Sequence, residues 1–219
     1  MGFTNAFSRF KFNRIVNSVF LFSILTITLS MTAYANSKTR TDRPFQLHAA
    51  QIFGYGASVG YHILPKLYLG LESYSLSDEG AILDVELDYK FTTNQMIGRY
   101  FPWDQYGFCL QLGFISREWM VQGSNETYVG NDTVKRQTGL EIKWPESAVS
   151  YGIGWFIIGE SGLSGGFGVG FIAGGTPEVT VTAVGASQSN IDLEEKQTVD
   201  TLQDYTVFPY THLSIGWSF

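Results

Sequence analysis

The sequence predicts an all-β fold, an antiparallel transmembrane β-barrel of eight strands behind an N-terminal signal peptide. Short segments alternate between large apolar and small or polar side chains, as strands do when one face meets lipid and the other lines a lumen. Tight turns also alternate with long polar stretches, the asymmetry typical of periplasmic turns and extracellular loops. After residue 35 there is no further apolar run of about twenty residues, so no transmembrane helix is predicted.

Residues 1–35 are predicted to be a secretory signal peptide. Basic residues precede the apolar core "IVNSVFLFSILTITLSMT", and a small-x-small cleavage site follows. The residues of this site are Ala33, Ala35 and Asn36. The alternative is a retained membrane anchor, since the apolar run is nearly long enough to span a bilayer. Cleavage would leave residues 36–219 as a single outer-membrane β-barrel domain.

The composition of the exported part disfavours several classes of function. It holds 11 Lys and Arg against 20 Asp and Glu, which argues against binding nucleic acid. Cys109 is the only cysteine, so no intramolecular disulfide is possible, and the three scattered histidines do not predict a metal site. We find no phosphate loop, dinucleotide fingerprint or pair of catalytic carboxylates, and therefore predict no cofactor.

Seven strands can be assigned from the alternation and the turns "LPK", "PWDQ" and "GESG". If the chain ends at the periplasmic side, the first of the seven would begin outside the cell. Single-chain bacterial barrels have even strand numbers, so one more strand should precede it. The candidate is "RPFQLHAAQ", although a different first strand or an N-terminal segment inside the lumen would also fit. The seven strands are 52–63, 67–77, 92–101, 107–117, 147–158, 163–173 and 206–219.

The remaining segments are predicted to project above the membrane. "ILDVELDYKF" carries a charged face and is predicted to form a β-hairpin, with a bulge near Thr93 to explain the change of phase between Phe91 and Met96. Residues 117–146 and 174–205 are predicted to be long extracellular loops. The second begins with "EVTVTAV", compatible with a prolonged strand, and ends with the acidic "DLEEKQTVDTLQDY", compatible with a short helix.

The alternation also predicts which polar side chains point into the lumen. Among them, Glu72 and Arg99 are hypothesised to pair, because an isolated charge shut away from water costs several kcal/mol. The predicted lumenal polar residues are His62, Glu72, Gln95, Arg99, Gln111 and Arg117.

The end of the chain, "THLSIGWSF", places its large apolar side chains on one strand face and completes a pattern that includes the signal peptide and the amphipathic strands. With this pattern the chain resembles the small outer-membrane β-barrel proteins of Gram-negative bacteria, the family that includes OmpX and the transmembrane domain of OmpA. The resemblance implies a location in the cell outer membrane. It also implies that the barrel-assembly machinery reads the terminal residues as its signal, namely Leu213, Ile215, Trp217 and Phe219.

An eight-stranded barrel is filled by its own side chains, so the leading expectation is a non-enzymatic protein that anchors extracellular loops. Its role would be envelope integrity or surface interactions, with outer-membrane lipid, the assembly machinery and a surface ligand at loops 117–146 and 174–205 as partners. One alternative is a narrow channel for small solutes, since lumenal glycines could leave space. Another is a lipid-modifying enzyme, because His212 and Ser214 resemble the His-x-Ser pair of small-barrel lipid deacylases, although both are predicted to face the lumen.

Overall fold

The computed structural model describes residues 37–52, 54–82, 85–202 and 206–219. The predicted signal peptide lies outside the described residues, and so do its cleavage residues Ala33, Ala35 and Asn36. Within the described part, no helix is long and apolar enough to span a membrane.

The described residues form ten strands and two helices. In chain order these are α1 (Ser37–Asp42), β1 (Phe45–Gln51), β2 (Tyr55–Leu64), β3 (Leu67–Ile82), β4 (Val85–Tyr100), β5 (Phe108–Thr127), β6 (Arg136–Lys143), β7 (Ser147–Ile158), β8 (Leu163–Ala173), β9 (Glu178–Ala183), α2 (Gln188–Leu202) and β10 (Val207–Ser218).

Eight of the strands close into a single antiparallel barrel. Their order around it is β1, β2, β3, β4, β5, β7, β8 and β10, and β10 pairs with β1. At the closing seam the Phe219 N–H donates to the Phe45 carbonyl over 2.8 Å. The predicted eight-stranded antiparallel barrel is therefore confirmed. The candidate "RPFQLHAAQ" supplies the first strand, so the alternative of an N-terminal segment inside the lumen is wrong.

The two faces of each barrel strand have opposite chemistry. The inward side chains are small, polar or aromatic. The outward side chains are large and apolar, and exposing them to water would cost free energy that contact with lipid avoids. Examples of the outward set are Leu71, Met96, Leu112, Phe114, Ile153 and Ile215. Three short connections lie at the end that holds the chain terminus, the end that outer-membrane barrels place in the periplasm.

The hairpin predicted above the membrane is a continuation of β3 and β4, and the predicted bulge near Thr93 is wrong. The two strands pair without a register shift from Leu67 opposite Tyr100 to Ile82 opposite Val85. The apolar side chains change face because the surroundings change, while the backbone register continues. Above the lipid the outward face meets water, and the inward Phe91 packs its ring 5.7 Å from that of Trp119. Apolar side chains thus change face where the surrounding medium changes.

The long segments predicted as loops form a folded unit, which we call the extracellular cap (residues 120–143 and 178–202). The upper part of β5 pairs with β6, and β6 pairs with β9. β9 does not prolong β8, since the chain turns at Gly175, whose φ of 52° suits glycine. α2 covers the sheet, in agreement with the short helix considered for the acidic end of this segment. The buried core of the cap contains Leu140, Ile142, Val179, Val181 and Leu202.

Candidate functional site in the lumen and the cap

A buried charge network occupies the middle of the lumen. β3 and β4 turn Glu72 and Arg99 inward, and Arg99 Nη2 donates to Glu72 Oε1. The Tyr74 hydroxyl donates to Glu72 Oε2 over 2.6 Å, and His212 Nε2 lies 3.8 Å from Glu72 Oε1. The Glu72 carboxylate is therefore held by a cation and a hydroxyl, which offsets the cost of burying its charge.

Two aromatic rings enclose the Arg99 guanidinium. Arg99 Cζ lies 4.8 Å from the centre of the Tyr68 ring and 4.1 Å from that of Phe156, distances typical of cation–π contacts. All three side chains are buried. The guanidinium and its rings fill the part of the lumen beside the ion pair.

The inward glycines leave room for these rings, and we call such a position a glycine socket. A Cβ on Gly60 would lie 2.3 Å from the Tyr68 hydroxyl oxygen, and one on Gly166 would lie 2.0 Å from Phe156 Cδ1. Both distances are far below van der Waals contact. At these positions glycine makes room for a neighbouring ring and does not leave an open passage.

Gln95 and Gln111, two further residues of the predicted lumenal set, also lie inside the barrel. Gln95 Nε2 donates to Ser150 Oγ over 2.8 Å. The Gln111 amide nitrogen lies 2.3 Å from a Cβ placed on Gly154 and 2.5 Å from one on Gly168. The structure thus brings Glu72 and Arg99 into contact, whereas Gln95 and Gln111 pack elsewhere in the lumen.

Arg40 of α1 closes the periplasmic mouth. Its side chain is only 1% exposed, and its Cζ lies 4.5 Å above the Phe101 ring. Burial lowers the pKa of the Arg40 guanidinium, while the Asp104 carboxylate acts in the opposite direction. The guanidinium donates to backbone carbonyls: Nε to Pro65 over 2.7 Å, Nη1 to Tyr106 over 3.2 Å, and Nη2 to Trp103 and Asp104 over 3.3 Å each. Sequence reasoning missed this residue, because no alternation precedes β1.

Arg117 has a similar position at the extracellular mouth. Its Nε donates to the Pro145 carbonyl over 2.8 Å and its Nη2 to the Gly174 carbonyl over 2.6 Å. The guanidinium lies 4.6 Å from the centre of the Trp119 ring. Trp144 packs against both the cluster at this mouth and the core of the cap. The barrel interior and the cap are therefore joined by continuous apolar packing.

Side chains of α2 hold the rest of the cap. Glu194 Oε2 accepts from the Gly130 N–H over 3.2 Å, and Glu195 Oε1 accepts from the Val181 N–H of β9 over 2.8 Å. The second bond satisfies a backbone donor of a strand at the end of the sheet, where an unpaired N–H would invite further strand pairing. Gly130 has a φ of 56°, and a Cβ there would lie 2.7 Å from the Asn190 carbonyl oxygen.

The predicted terminal signal lies on the lipid side of β10. Ile215, Trp217 and Phe219 are exposed outward, and Leu213 shares their strand face. His212, by contrast, is 1% exposed and lies in the lumen beside Glu72. No His-x-Ser pair faces lipid in this strand, so the geometry gives no support to the lipid-deacylase alternative. Among the described residues there is also no group of three or more His, Cys, Asp or Glu that could hold a metal ion.

Two solved structures share the fold. CarO2 from Acinetobacter baumannii matches with a TM-score of 0.59 at 14% identity, over 81% of this chain and 99% of that chain. CarO from the same organism matches with a TM-score of 0.56 at 16% identity, over 80% and 98%. A major outer membrane protein from Thermus thermophilus matches with a TM-score of only 0.40, too low to support an argument. No protein-family model and no curated protein matches the sequence.

The class of protein follows from the closed barrel and these likenesses. The chain has the fold of the outer-membrane β-barrel proteins, with eight antiparallel strands in the barrel. At such identities the likeness concerns the fold alone, and it does not place the chain in the OmpA and OmpX group.

Proposed function

We propose that this protein is a non-enzymatic, non-conducting outer-membrane barrel that presents its extracellular cap to partners at the cell surface. One observation carries the proposal: the lumen is packed with side chains and holds an arginine bound to backbone carbonyls at each mouth, while the cap has a hydrophobic core of its own. The barrel would anchor and orient the cap. Outer-membrane lipid surrounds the outward face, and the assembly machinery would recognise Leu213, Ile215, Trp217 and Phe219.

The filled glycine sockets argue against the narrow channel. That alternative needed space beside the lumenal glycines, but the rings of Tyr68 and Phe156 and the Gln111 amide occupy the space at those described above. The glycines therefore support close packing of a narrow barrel instead of a path for solutes.

The charge of the extracellular segments indicates the kind of partner. The cap holds eight Asp and Glu against four Lys and Arg, and the neighbouring hairpin segment 77–91 holds five against one. A surface with this excess of negative charge attracts basic partners and repels acidic ones, and salt weakens both effects. We therefore propose that the cap binds a cationic surface, such as a basic peptide or a basic patch of another protein.

Binding to immobilised polylysine tests this proposal. The full protein is compared with a variant in which short Gly-Ser turns replace residues 121–143 and 175–205, and circular dichroism and heat-dependent mobility in SDS verify that both are folded barrels. We expect salt-sensitive binding by the full protein and much weaker binding by the variant. Equal binding by both proteins would contradict a role for the cap.

A further inference from the structure

The periplasmic mouth is lined by hydrogen-bond acceptors and an aromatic ring that suit a guanidinium group. The carbonyls of Pro65, Trp103, Asp104 and Tyr106 converge on a planar cation whose face lies over the Phe101 ring. A guanidinium has five donors in a rigid plane and stacks on aromatic rings, whereas an ammonium is a compact, strongly hydrated point charge. Carbonyls that accept from Nε, Nη1 and Nη2 of one side chain, beside an aromatic ring, thus match a guanidinium better than an ammonium.

The segment that carries Arg40 is too short to be stable alone. α1 spans six residues, and helices of this length need tertiary contacts to persist in water. Besides Arg40, the backbone N–H of Ser37 donates to the Asp104 carbonyl over 2.8 Å. Arg43, just after α1, also donates to the Glu160 carbonyl over 2.8 Å. Within α1, however, Arg40 is the side chain that enters the mouth.

We propose that the periplasmic mouth is a guanidinium-binding site that the chain fills with its own Arg40, so that α1 is a displaceable plug. The ligand class is the guanidinium group, and a guanidinium compound competes with Arg40 for the same carbonyls. This inference goes beyond the proposed function, since it concerns the opposite end of the barrel from the cap.

Release of the plug would uncover the lower lumen. Phe101, under the Arg40 guanidinium, belongs to a buried cluster that also contains Cys109. Cys109 is fully buried and is the only cysteine of the chain. Its thiol is therefore a native reporter of access through the periplasmic mouth.

The test measures the rate at which a small methanethiosulfonate reagent labels Cys109 in the detergent-folded protein. We expect slow labelling of the wild type and of Lys38→Ala, an exposed control on the same helix. For Arg40→Ala we expect labelling at least about tenfold faster, the change produced by losing roughly 1.4 kcal/mol of docking free energy. Arg40→Lys should resemble Arg40→Ala, and it replaces that variant if Arg40→Ala does not fold.

Chemical rescue then identifies the group that the mouth binds. Millimolar methylguanidinium should slow the labelling of Arg40→Ala and raise its Tm with concentration, as ligands of the folded state do, whereas methylammonium should do neither. Arg40→Ala removes a cation near Cys109, which disfavours the reactive thiolate and by itself would slow labelling. Faster labelling of this variant therefore reports greater access of the reagent to the thiol. Equal labelling rates in wild type and Arg40→Ala would overturn the proposal, and so would a failure of methylguanidinium to protect. Neither result would bear on polylysine binding by the cap.

Discussion

Glycine residues that face the lumen determine how the barrel is filled. Gly60 and Gly166 lie beside the rings of Tyr68 and Phe156, each on a neighbouring strand, and each would clash with a ring if it had a Cβ. The sequence shows only that small residues occupy the inward face. Which ring fills which socket depends on strand register and rotamers, which alternation does not encode. This is why lumenal glycine could be mistaken for free space.

Gly166→Ala tests the sockets. The new Cβ would lie 2.0 Å from the Phe156 ring, so we expect a loss of roughly 1–3 kcal/mol in the free energy of unfolding, as overpacking produces. Urea unfolding in lipid vesicles measures it. Gly98→Ala is the matched control, because its Cβ would meet Leu69 at an ordinary 3.5 Å. Replacing Phe156 by Leu in the Gly166→Ala background should recover part of the loss, and an equal loss in both alanine variants would refute the socket.

Glu72→Gln tests the buried ion pair. The substitution leaves the Arg99 charge buried without its carboxylate, so we expect a loss of roughly 3–5 kcal/mol, as when one partner of a buried pair is removed. Thermal unfolding followed by circular dichroism measures the effect. The double variant Glu72→Gln and Arg99→Gln should be more stable than Glu72→Gln alone. An unchanged Tm for Glu72→Gln would show that the pair does not stabilise the barrel.

At the scale of elements, the strands inside the lipid were predictable and the cap was not. Seven barrel strands alternate between lipid and lumen, and β1 was recognisable as the eighth because single-chain bacterial barrels have even strand numbers. In the cap both faces of a strand meet protein or water, so the sequence of β6 looks like a polar loop and that of β9 like a continuation of β8. Their pairing with β5 and with each other is a long-range contact that turn length does not determine.

α1 could not be predicted for a related reason. Its six residues carry no periodic apolar face, and the docking of Arg40 depends on carbonyls brought together from two different turns. The bulge expected near Thr93 was wrong because the apolar face changes with the medium while the backbone register continues. Both errors arise where the surroundings of a strand or helix, and not its own sequence, decide its packing.

Gly130→Ala tests how the cap is held together. Gly130 has a left-handed backbone and lies against the Asn190 carbonyl, so a side chain there should weaken the contact with α2. We expect faster hydrogen exchange in α2 and at residues 128–135, with unchanged exchange in the barrel strands. Hydrogen exchange read by mass spectrometry measures this, and Val134→Ala, at an exposed position of the same segment, is the control. Acceleration throughout the barrel would contradict a local role.

At the scale of the whole molecule, the barrel is closed and its charge is unevenly distributed. The extracellular segments carry most of the acidic residues, whereas the periplasmic end is nearly balanced. Its charged residues are Lys38, Arg40, Arg43, Lys66, Asp42, Asp104 and Glu160. The lumen between the two ends holds an ion pair enclosed by rings and, at each mouth, an arginine bound to backbone carbonyls. Such an interior stabilises a narrow barrel, and under the proposed function recognition takes place on the surface outside the membrane.

Single-channel recording in planar bilayers tests whether the lumen is closed. The purified, folded wild type is reconstituted at increasing protein concentration, beside a large porin in the same bilayers as the positive control. We expect no reproducible conductance steps from the wild type while the porin gives them, since side chains fill the lumen and an arginine occupies each mouth. Reproducible steps of uniform size from the wild type, lost on heat unfolding, would contradict the closed lumen and favour a channel.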